Sequence, residues 1–272
     1  MFLEGKMISF LIYAAVGALP GFLAGLLGIG GGVVIIPMLV FVFPLHGIPG
    51  EVIMPMALGT SMASITFTAI SSFYSHHRRG AVRWDVVRLI TPGIIVGTFC
   101  GAAVAARTST ENLKIIFILF LAWVIFRMLA GKEPKPNREL PGRGGILSVG
   151  TVIGVISSFA GIGGGSLSVP FMISCNVPLH QAIGTSAAIG FPIALSGAAG
   201  YILNGLGNDL LPGLALGYVY LPALLGIILA SVLTAPLGVR LAHRLPVEKL
   251  RMVFALLLVV VAVKMALGIF GN

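Results

Sequence analysis

Apolar residues in this chain do not alternate with polar ones but gather in long stretches, near 7–43, 53–73, 89–106, 113–130, 145–175, 179–203, 218–239 and 249–270. Stretches of this length with no polar face predict helices covered by lipid or protein on every side. A helix needs about 20 residues, or roughly 30 Å at 1.5 Å per residue, to cross a bilayer. Six of the stretches match one crossing each. As single helices, 7–43 would be roughly 55 Å long and 145–175 roughly 46 Å, too long for one span and too short for two.

Both long stretches are interrupted at matching places, Gly28-Ile29-Gly30-Gly31-Gly32 and Gly161-Ile162-Gly163-Gly164-Gly165. Consecutive glycines disfavour a helix interior by about 1 kcal/mol each and permit positive φ, so the helix is expected to break there. Val33-Val34-Ile35-Ile36-Pro37 follows the first break and Ser166-Leu167-Ser168-Val169-Pro170 the second. Further on, Ala57-Leu58-Gly59-Thr60-Ser61 matches Ala182-Ile183-Gly184-Thr185-Ser186, Pro92 matches Pro222, and Leu113, Phe117 and Arg127 match Leu250, Phe254 and Lys264. The pattern is a tandem repeat, 7–130 and 145–270, joined by a charged, proline-bearing linker at 131–144.

Composition narrows the class. Of 272 residues 57% are hydrophobic and 9% charged, with a mean hydropathy of +1.07, whereas a soluble domain carries about a quarter charged residues. A polytopic all-α membrane protein is expected. The net charge of +9 does not point to nucleic acid, because the basic residues cluster between the apolar stretches, where they orient helices. Those clusters are Arg78, Arg79, Arg83, Arg88; Lys132, Lys135, Arg138, Arg143; and Arg240, Arg244, Lys249, Arg251. All three fall on the cytoplasmic side only if each long stretch enters the bilayer, breaks and returns. The two halves are then inverted repeats, each a re-entrant hairpin or broken helix plus three crossings, with both termini outside. No small-residue cleavage pattern follows the first stretch, which is expected to be retained. Cys100 and Cys175 are expected to be buried free thiols.

Candidate chemistry follows from what the spans lack. The eight acids, Glu4, Glu51, Asp85, Glu111, Glu133, Glu139, Asp209 and Glu248, all fall in loops or at the edges of stretches. Cation carriers generally place carboxylates within the membrane, so an anion or a neutral solute is the expected cargo. Amides exposed at the breaks, helix N-termini and nearby hydroxyls can satisfy an oxyanion without a full charge. The candidate binding residues are Gly30, Gly31, Gly32, Thr60 and Ser61 in the first half, and Gly163, Gly164, Gly165, Ser166, Ser168, Thr185 and Ser186 in the second. The competing role for these small residues is helix packing and bonding to their own backbone. His46 and His180, each closing a Pro-Leu-His sequence, are candidates for proton coupling or for structural roles at the interface. Arg127 and Lys264 are expected to snorkel from helix ends, or else to offer a charge to the anion. Trp84 and Trp123 are expected at the membrane interfaces. An intramembrane enzyme would need a nucleophile with a base, paired carboxylates or metal ligands, and none occurs at convincing spacing. No catalytic role, metal or cofactor is expected.

The doubled G-x-G-G-G with its following proline, Gly28 to Pro37 and Gly161 to Pro170, and the doubled A-x-G-T-S, Ala57 to Ser61 and Ala182 to Ser186, resemble the sulfite exporter TauE/SafE family of anion permeases. The resemblance spans about residues 10 to 268. It implies a multi-pass carrier in the cell (plasma or inner) membrane that moves small sulfur-containing anions such as sulfite, sulfoacetate or other sulfonates, typically outward. A passive anion channel, or a permease for other small organic anions, is the alternative. The expected partners are a small anionic solute and the lipid bilayer, with a homodimer left open and no nucleic acid. Val33 and Ile35 stand where the second half has Ser166 and Ser168, so the halves cannot bind a solute symmetrically.

Overall fold

The computed structural model describes residues 12–22, 31–130, 138–242 and 247–270. The described residues are mostly helical: α1 (Ile12–Phe22), α2 (Gly32–Val42), α3 (Gly50–Arg78), α4 (Trp84–Ala106), α5 (Thr110–Ala130), α6 (Arg143–Ala160), α7 (Gly165–Ser174), α8 (Leu179–Gly205), α9 (Leu221–Ala242) and α10 (Val247–Phe270). A single turn of 3-10 helix, Pro44–His46, follows α2, and a two-stranded ribbon (Ala215–Leu216 with Val219–Tyr220) precedes α9. Five helices, α3, α4, α5, α6 and α8, are long and apolar enough to cross a membrane. The chain is a multi-pass membrane protein.

The second Gly-rich stretch is interrupted as expected, and most of the first Gly cluster lies outside the described residues. The second yields an 18-residue helix, α6, and a 10-residue helix, α7. In the first, α1 and α2 have 11 residues each on either side of positions outside the described residues.

Small residues set the directions in which the helices run. Side-chain-free positions let helix backbones approach closely, and such contacts replace the hydrophobic drive that lipid does not provide. A β-carbon at Gly150 would lie 2.6 Å from the Ile90 carbonyl oxygen, and one at Gly154 2.6 Å from that of Ile94. One turn further, Gly101 meets Val155 and Ser158, so α4 and α6 are parallel. Gly197 meets Thr98 and Gly200 meets Ala102, so α4 and α8 are parallel as well. Gly59 contacts Tyr201 while Gly197 contacts Met62, which sets α3 and α8 antiparallel. The starts of α3 and α5 are tied together, with Thr110 Oγ1 donating to the Glu51 carbonyl at 2.7 Å.

The same contacts recur between α1 and α9. A β-carbon at Gly17 would lie 2.5 Å from the Ile227 Cα, and one at Gly21 would overlap the Ser231 backbone. Gly17 and Gly21 stand to Gly150 and Gly154 at one constant offset along the chain, and Ile90 and Ile94 stand to Ile227 and Ser231 at another. The second offset also relates Phe117 to Phe254 and Leu121 to Leu258, all buried. It moves Pro92 opposite Leu229 and not Pro222, because helix contact rather than proline placement sets the register.

A second correction concerns Cys100, which is exposed on α4, while Cys175 is buried. An α4 face pointing to lipid accepts a thiol as readily as it accepts the exposed Val96 and Val104 on the same helix.

Candidate functional site

The second break is built by the end of α6. Its last turns place the Ser157 carbonyl where it accepts the N–H groups of both Gly161 and Ile162. Gly161 (φ +56°) and Gly164 (φ +76°) are left-handed, a conformation that residues with a β-carbon adopt at a cost of roughly 1–2 kcal/mol. Gly164 then serves as the N-cap of α7, with no side chain capping the helix. The amides of Leu167 and Ser168 bond back to the Gly164 carbonyl at 3.0 and 2.9 Å. The amides of Gly165 and Ser166 have no backbone acceptor among the described residues. These orphan donors, with the positive end of the α7 dipole, favour a negative group.

Three seryl hydroxyls surround this terminus. Ser168 is fully buried, donating at 2.9 Å to the Gly164 carbonyl or sharing a 2.8 Å bond with the Ser186 hydroxyl on α8. Gly165 faces that pair, since a β-carbon there would lie 3.5 Å from the Ser186 oxygen. Ser166 is half-buried and makes no side-chain hydrogen bond to the described residues, and Gly163 beside it is also partly accessible. Gly163 packs near Ile65 of α3, and its carbonyl faces Gly190 of α8.

The first break meets the second. Ser61 on α3, fully buried, donates to the Gly161 carbonyl at 2.9 Å, and a β-carbon on Gly32 would overlap that same oxygen. Gly31 is the N-cap of α2 and lies against Pro20 of α1. Gly30 lies outside the described residues.

The two threonines take matched but different positions. Thr60 Oγ1 accepts the N–H of Tyr220, at the start of α9, and Thr185 Oγ1 accepts the N–H of Arg83, the N-cap of α4, each at 3.0 Å. Both hydroxyls are fully buried. The glycine before each lies against the same two segments, Gly59 on Tyr218 and Gly184 on Ala81. Each half thus uses its Gly-Thr pair to hold the start of a helix belonging to the other half.

The histidines do not occupy equivalent places. His46 ends the 3-10 turn, with Nδ1 3.1 Å from the Val42 carbonyl and its ring stacked on Tyr13 at 5.0 Å between centroids. His180 is exposed in the first turn of α8, two residues after the N-cap Pro178. In the first half Pro49 takes that N-cap role, so an inserted turn separates His46 from α3. Arg127 is half-buried in the last turn of α5, and Lys264 places its ammonium 4.5 Å from the centroid of the Phe41 ring. Neither touches the α7 terminus. Trp84 donates from Nε1 to His77 Nδ1 at 3.2 Å, and the neighbouring Arg83 guanidinium pairs with Asp85, a bond that holds it above its ordinary pKa.

Among the described residues no buried side chain carries a full charge: those with polar groups are serines, threonines, the tyrosines Tyr13, Tyr201 and Tyr218, and Cys175. Glu51, Asp85, Glu111, Glu139 and Asp209 are exposed. The α7 terminus is therefore an uncharged site of amides and hydroxyls. Ser157 belongs to this neighbourhood, and a sequence reading built on repeated motifs passes over it, because the Ser157-Ser158 pair has Ala24-Gly25 at the matching position. Its hydroxyl is fully buried and has no hydrogen-bond partner among the described residues.

The profile of the sulfite exporter TauE/SafE family matches residues 13–265. The chain belongs to this family. Relatives include a probable membrane transporter protein of Haemophilus influenzae, 40% identical over 96% of this chain and 100% of its own length. Others carrying the same description come from Xylella fastidiosa, 30% identical over 94% of both chains, and Methanocaldococcus jannaschii, 28% identical over 93% of both. No solved structure matches the chain. Family and relatives together make this a membrane transporter, and the matched region contains α2 to α9 complete.

Proposed function

We propose that the protein is a secondary carrier that exports small sulfur-containing anions, such as sulfite, sulfoacetate or other sulfonates, across the cell membrane. The observation that carries this reading is the uncapped N-terminus of α7, where amides and hydroxyls converge and the described buried residues include no carboxylate. The family's description as sulfite exporters supports the sulfur chemistry. Several acceptor oxygens on one small ion suit several neutral donors on one helix end. The binding residues are Gly163, Gly164, Gly165 and Ser166, with Ser168 and Ser186 shaping the wall; Gly31, Gly32 and Ser61 close the site from the other half.

The reading of two inverted repeats rests on helix directions. Because α6 and α8 are both parallel to α4, the chain between them returns to the face where α6 starts, which supports a re-entrant segment at the Gly-rich break. The α4 and α6 starts share that face, which brings Arg83, Arg88 and Arg143 together and supports assigning it to the cytoplasm. Broken helices meeting between inverted halves are the usual site of alternating access.

Purified protein in liposomes, offered sulfite, sulfate, sulfoacetate, taurine and a carboxylate control, tests the proposal. We expect saturable flux and counterflow of sulfite or a sulfonate, well above the carboxylate. Non-saturating flux without counterflow would establish a channel instead, and flux confined to the carboxylate would overturn the sulfur reading.

A further inference from the structure

We infer that Ser157, on α6, is a solute-binding residue of the α7 site. This rests on the anion reading above and extends it to a side chain outside the repeated motifs. Serines within helices ordinarily donate to a carbonyl three or four residues back, and the buried seryl hydroxyls of this protein follow that habit or find another partner. Ser158 donates to the Val155 carbonyl, Ser196 to that of Pro192, Ser64 to that of Ser61, Ser61 to Gly161, and Ser231 to Gly17. The Ser157 hydroxyl is fully buried yet has no hydrogen-bond partner among the described residues.

Its place explains what the hydroxyl is kept for. A β-carbon on Gly164, the N-cap of α7, would lie 3.5 Å from Ser157 Oγ and 3.6 Å from the Cγ2 of Ile153. Glycine at 164 therefore keeps a β-carbon from coming between the hydroxyl and the start of α7, in a space that the Ile193 side chain also borders, and the Gly165 and Ser166 amides there have no backbone acceptor among the described residues. One hydroxyl and two amides on a common terminus are three unused donors, and an oxyanion brings the matching acceptors. The Ser157 carbonyl meanwhile bonds the Gly161 and Ile162 amides. One residue thus ties the break to α6 through its backbone and presents its side chain to the solute.

The test compares wild type with Ser157→Ala and Ser157→Thr in sulfite flux and in thermal denaturation with and without sulfite. If the hydroxyl binds the anion, Ser157→Ala raises the sulfite KM about 10-fold, equivalent to about 1.4 kcal/mol, and loses most of the sulfite-induced rise in Tm. Its ligand-free Tm stays equal to wild type or climbs, because an unsatisfied buried hydroxyl has been removed. Ser157→Thr restores much of the affinity. Unchanged KM in Ser157→Ala, with wild type saturating normally, overturns the role of Ser157 and leaves the anion site standing. A lower ligand-free Tm in Ser157→Ala overturns it too, since the hydroxyl would then be part of the folded framework. If wild type responds to none of sulfite, sulfate, sulfoacetate or phosphate, the anion site and the role of Ser157 fall together.

Discussion

Replacing Thr60 or Thr185 with valine separates packing from binding in the repeated Thr-Ser pairs. Valine keeps the shape of threonine and removes the oxygen, so the Tyr220 amide or the Arg83 amide loses its 3.0 Å acceptor. An unsatisfied buried donor costs about 1–3 kcal/mol. Tyr220 and Arg83 are only half-buried, so water offsets part of the loss and the cost falls near 1 kcal/mol. For a chain of this size 1 kcal/mol corresponds to a Tm change of about 2–4 °C. The two bonds share no residue, so the double variant should lose the sum, about 4–8 °C. Thermal denaturation of purified protein in detergent measures this, and proteoliposome flux measures KM. We expect each single variant to lose stability and to keep its sulfite KM within about twofold of wild type. A raised KM at unchanged Tm, in either variant, would show that these oxygens face the solute and refute the bracing role.

Gly164→Val should abolish transport while leaving membrane insertion intact, because a β-branched residue resists the left-handed N-cap and its side chain would overlap Ile193; normal sulfite flux at normal expression would contradict this. Ser61→Ala leaves the buried Gly161 carbonyl without its donor and should lower Tm by several degrees, at a cost of about 1–3 kcal/mol. Gly154→Leu should reduce the yield of monodisperse protein on size exclusion, since its side chain meets the Ile94 carbonyl and the Thr98 backbone, whereas Gly144→Leu, which meets nothing, should not. A C-terminal fusion to a reporter active only in the cytoplasm should be silent if both termini are outside.

The position of the second break was legible in the sequence because helix interiors seldom tolerate clustered glycines and because the cluster occurs twice. Most span boundaries were legible as well: the stretch 179–203 became Leu179–Gly205 and 113–130 became Thr110–Ala130. Hidden from a motif reading were the Gly17, Gly21, Gly150 and Gly154 contacts, although their four-residue spacing is the ordinary signature of close helix crossing. They read as general glycine richness until the partner helix is known. The use of the threonines was hidden for a different reason. A Thr beside a break looks the same whether its oxygen faces a cavity or a backbone amide more than 100 residues away, and only the fold distinguishes the two. Ser157 shows the limit of reasoning from repetition, which finds what both halves share and passes over what one half has alone.

That asymmetry is the physical reason why the proposed solute site is at α7 and not α2. Both helices begin at glycines with no side-chain cap. At α2, however, the first residue, Gly32, is pressed against the Gly161 carbonyl, which is held there by Ser61. A carbonyl oxygen at a helix N-terminus already supplies the negative end that the dipole favours, and the residues after it, Val33 and Ile35, are buried and apolar. At α7 the corresponding Gly165 faces only the Ser186 hydroxyl, and Ser166 and Ser168 replace the valine and isoleucine. The first break is thus filled by the second, while the second has donors to spare. A carrier built from a repeat still needs a single site for one ion, and filling one helix terminus with the backbone of the other half leaves one open.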